Sequence, residues 1–344
     1  MTKSGPSPVL WVVSVIEEAS ATLCLRRQKE IIKCRSAAAE RSVIMLLKTV
    51  RVHKKTALIT LAVVLAASLI CGFVLFPGRE APVSAEGAAG TNLPILMYHH
   101  CLEEERLGKW VISVSEFEND LKYIQAQGYT TIVVQDLLDH YQKGTPLPEK
   151  PIMITIDDGH LSTYTYLYPL LKQYNMKAVL SIVGAYTDEY TETTDTTVSY
   201  AYLSWDNVKE LSDSGVIEIQ NHSYNMHSTK NGHNGISRMG GESDEAYKKR
   251  FMEDIGGLQT AIQEHTGRTP TAFTYPFGYI NEDSKPYIKE LGFQVVFTCE
   301  ERVNRLPEKA DDILTLMRFN RPHGRPVEDF FQYIYSQEPR MATF

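Results

Sequence analysis

The chain has 344 residues, 43% of them hydrophobic and 22% charged, with a formal net charge of −7. That is ordinary globular composition, which excludes collagen-like, mucin-like and wholly disordered chains. The acidic balance argues against a nucleic-acid binder, which would carry a basic footprint, and five cysteines are too few for a disulfide-built scaffold.

The charge is not evenly spread. Residues 1–55 carry a net charge of +7 and the remainder −14. Residues 1–44 show no clear domain pattern. The segment from Met45, MLLKTVRVHKK, has the basic start of an exported protein, so translation is expected to begin at Met45. Between the two regions lies Ala57–Phe76, a run of 20 residues without charge or proline. That is the length a helix needs to cross a hydrocarbon core. Arg51, Lys54 and Lys55 precede it, which places the N-terminus in the cytoplasm and exports the chain beyond the span. Residues 56–76 are therefore expected to form a single transmembrane signal anchor in the cell membrane, with the rest of the chain extracytoplasmic. Cleavage near Ala85, after the small residues Val83 and Ser84, is the alternative and would secrete the domain. Residues 77–92 are small and polar and read as a linker. The folded domain is expected over 93–344.

From Leu93 onward, short apolar runs alternate with helical patterns. The strands are expected at Ile95–Tyr98, Thr130–Val134, Ile152–Ile156, Ala178–Val183, Val216–Gln220, Ala272–Tyr275, Gln294–Thr298 and Leu314–Phe319. Several are apolar throughout, as parallel strands covered on both faces are. Helices are expected over Ser115–Gln127, with Ser115 and Glu118 as a capping box, and over Trp205–Ser214 behind Ser204. Two more are expected over Glu245–His265 and Pro286–Leu291. The βα alternation predicts an α/β fold, a distorted (β/α) barrel of seven or eight strands. In such folds the carboxyl ends of the strands converge on one face, where active sites are built.

The polar residues cluster at those strand ends. Asp157-Asp158-Gly159 follow one apolar strand, and two adjacent carboxylates repel unless a cation or hydrogen bonds compensate. His222 and His227 follow another strand. Five residues apart, they need a loop rather than a helix face to meet. Two imidazoles and a carboxylate make a three-ligand site with an open position, the pattern of catalytic zinc. Pro276-Phe277-Gly278 ends a further strand in a turn that can present a backbone N–H, and Arg318 closes the last strand. Each piece alone also fits an ordinary turn or surface histidine. The stretch Tyr186–Tyr202 is open between a sugar-facing loop and a solvated one.

Together these residues resemble the polysaccharide deacetylase family, carbohydrate esterase family four or NodB-homology domain, over about Leu93–Tyr335. Thr155-Ile156-Asp157-Asp158-Gly159 resembles its first motif, and His222-Ser223 with His227 resembles the longer form of its second. The resemblance implies that Asp158, His222 and His227 bind a divalent metal, zinc by default, with cobalt, nickel or manganese able to serve. It implies that Asp157 is the general base for water attacking an acetamide, and that Phe277 donates a backbone N–H to the oxyanion. Tyr98-His99-His100 resembles the N-terminal Tyr-His element of one subgroup, which makes His99 the candidate general acid. Two elements depart from the family: Thr274 stands where the third motif has Arg, and no Asp-x-x-Asp-Trp element is apparent. Arg318 is the substitute that would orient Asp157. The implied partner is an N-acetylated polysaccharide, a cell-wall glycan or exopolysaccharide of N-acetylglucosamine. A non-catalytic glycan-binding protein and a small-molecule amide hydrolase are the alternatives. The sequence does not specify an oligomeric state.

Overall fold

The computed structural model describes residues 90–343, apart from 105, 231 and 311. The expected cytoplasmic head, the membrane span over 57–76, most of the linker and the Met45 start lie outside the described residues. Among the described residues, no helix is long and apolar enough to cross a membrane.

Eight strands carry the architecture: β1 Ile95–Tyr98, β2 Pro151–Asp158, β3 Ala178–Ile182, β4 Ile217–Asn221, β5 Ala272–Thr274, β6 Val295–Phe297, β7 Leu314–Leu316 and β8 Phe319–Asn320. They pair in the order β7-β6-β5-β4-β3-β2-β1-β8. Every pairing is parallel. The expected strand at Thr130–Val134 is shorter, with only Thr130–Thr131 pairing against the start of β2. The expected strand Leu314–Phe319 is broken at Met317-Arg318. Its first half pairs with β6 and its second with β1. The sheet order therefore begins and ends on one stretch of chain.

Asn304 makes that break possible. Its buried side-chain amide donates to the carbonyls of Leu93 and Met317 and accepts from the Met317 N–H, supplying partners that a continuous ladder would otherwise give.

Among the described residues the α-helices are α1 Val114–Ala126, α2 Val134–Lys143, α3 Tyr168–Gln173, α4 Gly184–Thr193, α5 Trp205–Asp213, α6 Asp244–Thr266, α7 Lys285–Glu290 and α8 Val327–Ser336. The capping box of α1 is Ser113 with Glu116, not the expected Ser115 with Glu118. The S-x-x-E pattern occurs twice, two residues apart, and only the first sits where the strand Val111–Ser113 ends. Ser204 caps α5 as expected, with Asn207 as its reciprocal partner. The first half of the Tyr186–Tyr202 stretch is helical as α4, not a loop.

Alternation along the strands sorts the side chains. Leu96, Ile152, Ile154 and Leu180 face outward into the cluster shared with α1, α5 and α8. Ile95, Met153, Val179, Ala272 and Val295 form the inner apolar layer, closed by α2 through Val134 and Leu137. Two residues further along, the inner face turns polar with Thr155, Ser181 and Thr274, where the Ser181 and Thr274 hydroxyls are 2.6 Å apart. Two residues beyond Thr155 stands Asp157. The period of two thus delivers one carboxylate into the sheet's interior at its carboxyl end. Cys101 and Cys299 are both free thiols.

Candidate metal and active site

The carboxyl ends of the strands surround a cavity of about 760 Å³ lined by His99, Asp157, Asp158, His222, His227 and Phe277, among others. Every site residue expected from the sequence lines it except Arg318, which lies directly beneath Asp157.

Asp158 ends β2 in the left-handed region, at φ 73°, and Gly159 follows at 83°. A Cβ on Gly159 would come within 3.2 Å of the Ile182 side chain, so the sharp turn is reserved for glycine. The turn sends neighbouring carboxylates to different partners. Asp158 Oδ1 lies 3.4 Å from His222 Nε2 and 3.4 Å from His227 Nε2. Donor atoms from the three residues lie within 4.8 Å of one another.

The donor chemistry fits a cation. His222 Nδ1 is 2.8 Å from the Thr274 carbonyl, which fixes its proton there and leaves Nε2 as a lone pair facing Asp158. Asp158 Oδ1 is buried and has no hydrogen-bond partner. Acceptors that converge in this way need a positive charge between them. Burial and the neighbouring His222 push His227 down to about 4, so its imidazole is neutral, the ligand form.

Asp157 has a different environment. Arg318, fully buried, donates from Nη1 to Oδ1 at 2.7 Å and from Nη2 to Oδ2 at 2.8 Å. Its Nε donates to the Thr298 carbonyl and its Nη1 also to Thr155. Burial alone would raise the carboxyl, but the charge of Arg318 outweighs it and holds Asp157 ionised. Thr274, where the family has Arg, instead bonds Ser181.

His99 enters from the end of β1, its ring 4.7 Å from that of Trp110 and its Nδ1 buried without a partner. Burial lowers its pKa, and Asp158 and Asp157 draw it back. Phe277 occupies a left-handed turn at φ 60° between Pro276 and Gly278, and its ring lies 4.5 Å from that of His227.

Residues 144–296 match the polysaccharide deacetylase family model. Over that segment the chain is similar to polysaccharide deacetylases. Relatives include poly-beta-1,6-N-acetyl-D-glucosamine N-deacetylase of Escherichia coli K12, 24% identical over 70% of this chain and 38% of that protein. The protein of the same name from Staphylococcus aureus MRSA252 is 23% identical over 58% of this chain and 64% of its own length. The chain thus spans under two thirds of the curated relatives it matches. A solved de-N-acetylase from Aggregatibacter actinomycetemcomitans is 22% identical, with a TM-score of 0.61 over 71% of this chain and 100% of that one, and shares the fold.

Two features of the cavity are absent from the sequence motifs. His160 is stacked between His100 at 4.2 Å and Tyr202 at 4.5 Å, with its Nε2 3.8 Å from Asp158 Oδ2. Its place directly after Asp-Asp-Gly is a signal that points to it. Trp110 lies on the segment leading to α1, where no motif marks it.

Proposed function

We propose that the chain is a cation-dependent polysaccharide N-deacetylase that hydrolyses the acetamide of N-acetylglucosamine units in an exopolysaccharide of the poly-β-1,6 type. The carrying observation is the convergence, in one cavity, of the Asp158, His222 and His227 donors with a separate carboxylate, Asp157, held by a buried arginine. The names of the relatives support the polymer class.

Asp158, His222 and His227 would hold the cation. A divalent ion there, zinc by its His/His/Asp donor set, with cobalt, nickel or manganese as substitutes, supplies a water of lowered pKa and a polarised carbonyl. Asp157 takes the proton from the attacking water. Arg318 uses one lone pair on each carboxylate oxygen, which leaves the outer pairs free to accept. His99, held by Trp110, returns a proton to the leaving glucosamine nitrogen. The Phe277 backbone N–H donates to the oxygen on which negative charge develops. We also propose that the domain works outside the cytoplasmic membrane, tethered by the 57–76 span. The uncharged stretch and the basic residues before it support this.

The test is acetate release from poly-β-1,6-N-acetylglucosamine, chitin oligomers and cell-wall glycan. Each is assayed after chelation and after adding back each metal. Release from the β-1,6 polymer that disappears on chelation and returns with metal is expected. Release that survives thorough metal removal would sink the mechanism, and none from any glycan would sink the function. Protease protection of the domain in intact cells would overturn the proposed location.

A further inference from the structure

His222 and His227 are neighbours only because the loop between them folds back. That loop starts from strain. Ser223 is a non-glycine residue at φ 75°, and its N–H is taken by Asn221 Oδ1 at 2.9 Å. Several of the loop's backbone groups are claimed from two sides. The first turn of α4 donates from Gly184 N–H to the Ser223 carbonyl at 3.1 Å and from Ala185 N–H to the Tyr224 carbonyl at 2.8 Å. From α6, Asp254 Oδ1 accepts the Tyr224 N–H at 2.7 Å and Oδ2 accepts the Asn225 N–H at 2.9 Å. The Met226 N–H also bears on this carboxylate. The adjacent Asn221 side chain is tied to the same helix through the Ile255 carbonyl, at 2.9 Å.

Asp254 has no local reason to be where it is. It stands in the interior of a 23-residue helix, away from the N-terminal turn where an aspartate helps. What the carboxylate does there is collect successive N–H groups of the segment that ends in His227. A carboxylate accepting several backbone N–H groups fixes their directions more tightly than neutral partners do.

We infer that Asp254 is the positioning residue for the histidine pair, presetting the 222–227 loop so that His227 Nε2 meets Asp158 Oδ1 before any cation arrives. The inference rests on the proposed ligand roles of Asp158, His222 and His227. Asp254 is not among the residues lining the cavity and acts through the loop backbone.

The test uses the full chain with Asp254→Ala and the milder Asp254→Asn, which keeps one acceptor oxygen. Zinc affinity is measured by competition with a chromophoric chelator, and Co2+ uptake by its visible absorption. Metal-free thermal stability is recorded beside them. Gln259→Ala is the control, because Gln259 ties the same helix to the Pro270 and Leu291 carbonyls, away from the loop. Zinc affinity is expected to fall about 10–100-fold in Asp254→Ala, less in Asp254→Asn, with an altered Co2+ spectrum. Saturating metal should restore kcat with KM for the glycan unchanged. Gln259→Ala should lose stability and keep its affinity. Wild-type affinity in both Asp254 variants overturns this inference alone. Equal loss in Gln259→Ala also overturns it, since general loosening of α6 would then be the cause. A wild-type chain that takes up no cation overturns the ligand assignment and this inference with it.

Discussion

Arg318 grips both oxygens of Asp157 from the two-residue break between β7 and β8, at 2.7 and 2.8 Å. The pair is buried on both sides, with side-chain exposures of 0% and 3%. Removing one partner from such a pair leaves an uncompensated interior charge, at a cost of about 3–5 kcal/mol. Arg318→Met should lose that much in urea unfolding and nearly all acetate release. Arg318→Lys keeps the charge but not the fork. It should recover part of the stability while turnover stays down by about 10–100-fold, as misplacement of a base costs.

The two adjacent carboxylates should separate by experiment. Asp158→Asn is expected to abolish cation uptake, measured by metal analysis after dialysis. Asp157→Asn is expected to retain the cation and lose about 10²–10⁴ in turnover, the range for a missing general base. Equal metal loss in both variants would contradict the division of roles.

Glu116 gives a pH signature away from the cavity. Burial would raise its pKa, but hydrogen bonds from the Ser113 N–H, His323, the Gly324 N–H and the Ser113 hydroxyl hold it down to about 2. Its pKa is thus lower folded than unfolded, where a glutamate titrates near ~4.3. The stabilisation is complete above the unfolded value and is lost as pH falls from there toward about 2. Glu116→Gln should be less stable at pH 7 by about 1–2 kcal/mol, in line with hydrogen bonds to a charged group. The gap in unfolding midpoint should close through the acid range. A gap that stays constant down to the lowest pH would refute the assignment.

Gly278 sets the turn that carries Phe277. At φ 72° a side chain there is strained, and a Cβ would come within 2.5 Å of Cys299 Cβ and 2.8 Å of the Cys299 backbone nitrogen. Backbone cannot swing aside, so Gly278→Ala should cost about 1–3 kcal/mol. Cation affinity should be largely kept and turnover reduced. Differential scanning calorimetry beside a steady-state assay checks both.

Much of the fold and the site is legible in the residues, and the exceptions have physical causes. The strands stand out because each is an apolar run bounded by turn residues. Asp157, Asp158, His222 and His227 are legible because each follows such a run, at the end where strands converge. The break at Met317-Arg318 is not legible, because it depends on Asn304, which reaches Leu93 as well as Met317. α4 is hidden by its Thr- and Tyr-rich sequence, in which few positions are strong helix formers. It is held by tertiary bonds from Trp205 and Tyr224 to Asp188. Arg318 can be nominated from its place at a strand end, but its bidentate grip on Asp157 is a contact across 161 residues of chain. Such distances carry no periodicity.

The stretch Leu314–Asn320 both completes the sheet order and carries Arg318. A ribosome delivers it after every other strand of the sheet. Until it emerges, β1 and β6 each present an unpaired edge, and Asp157 faces the interior without its counter-charge. Chains cut short just before this stretch should therefore be aggregation-prone, so the last strands of the sheet and the counter-charge of Asp157 arrive in one step of synthesis.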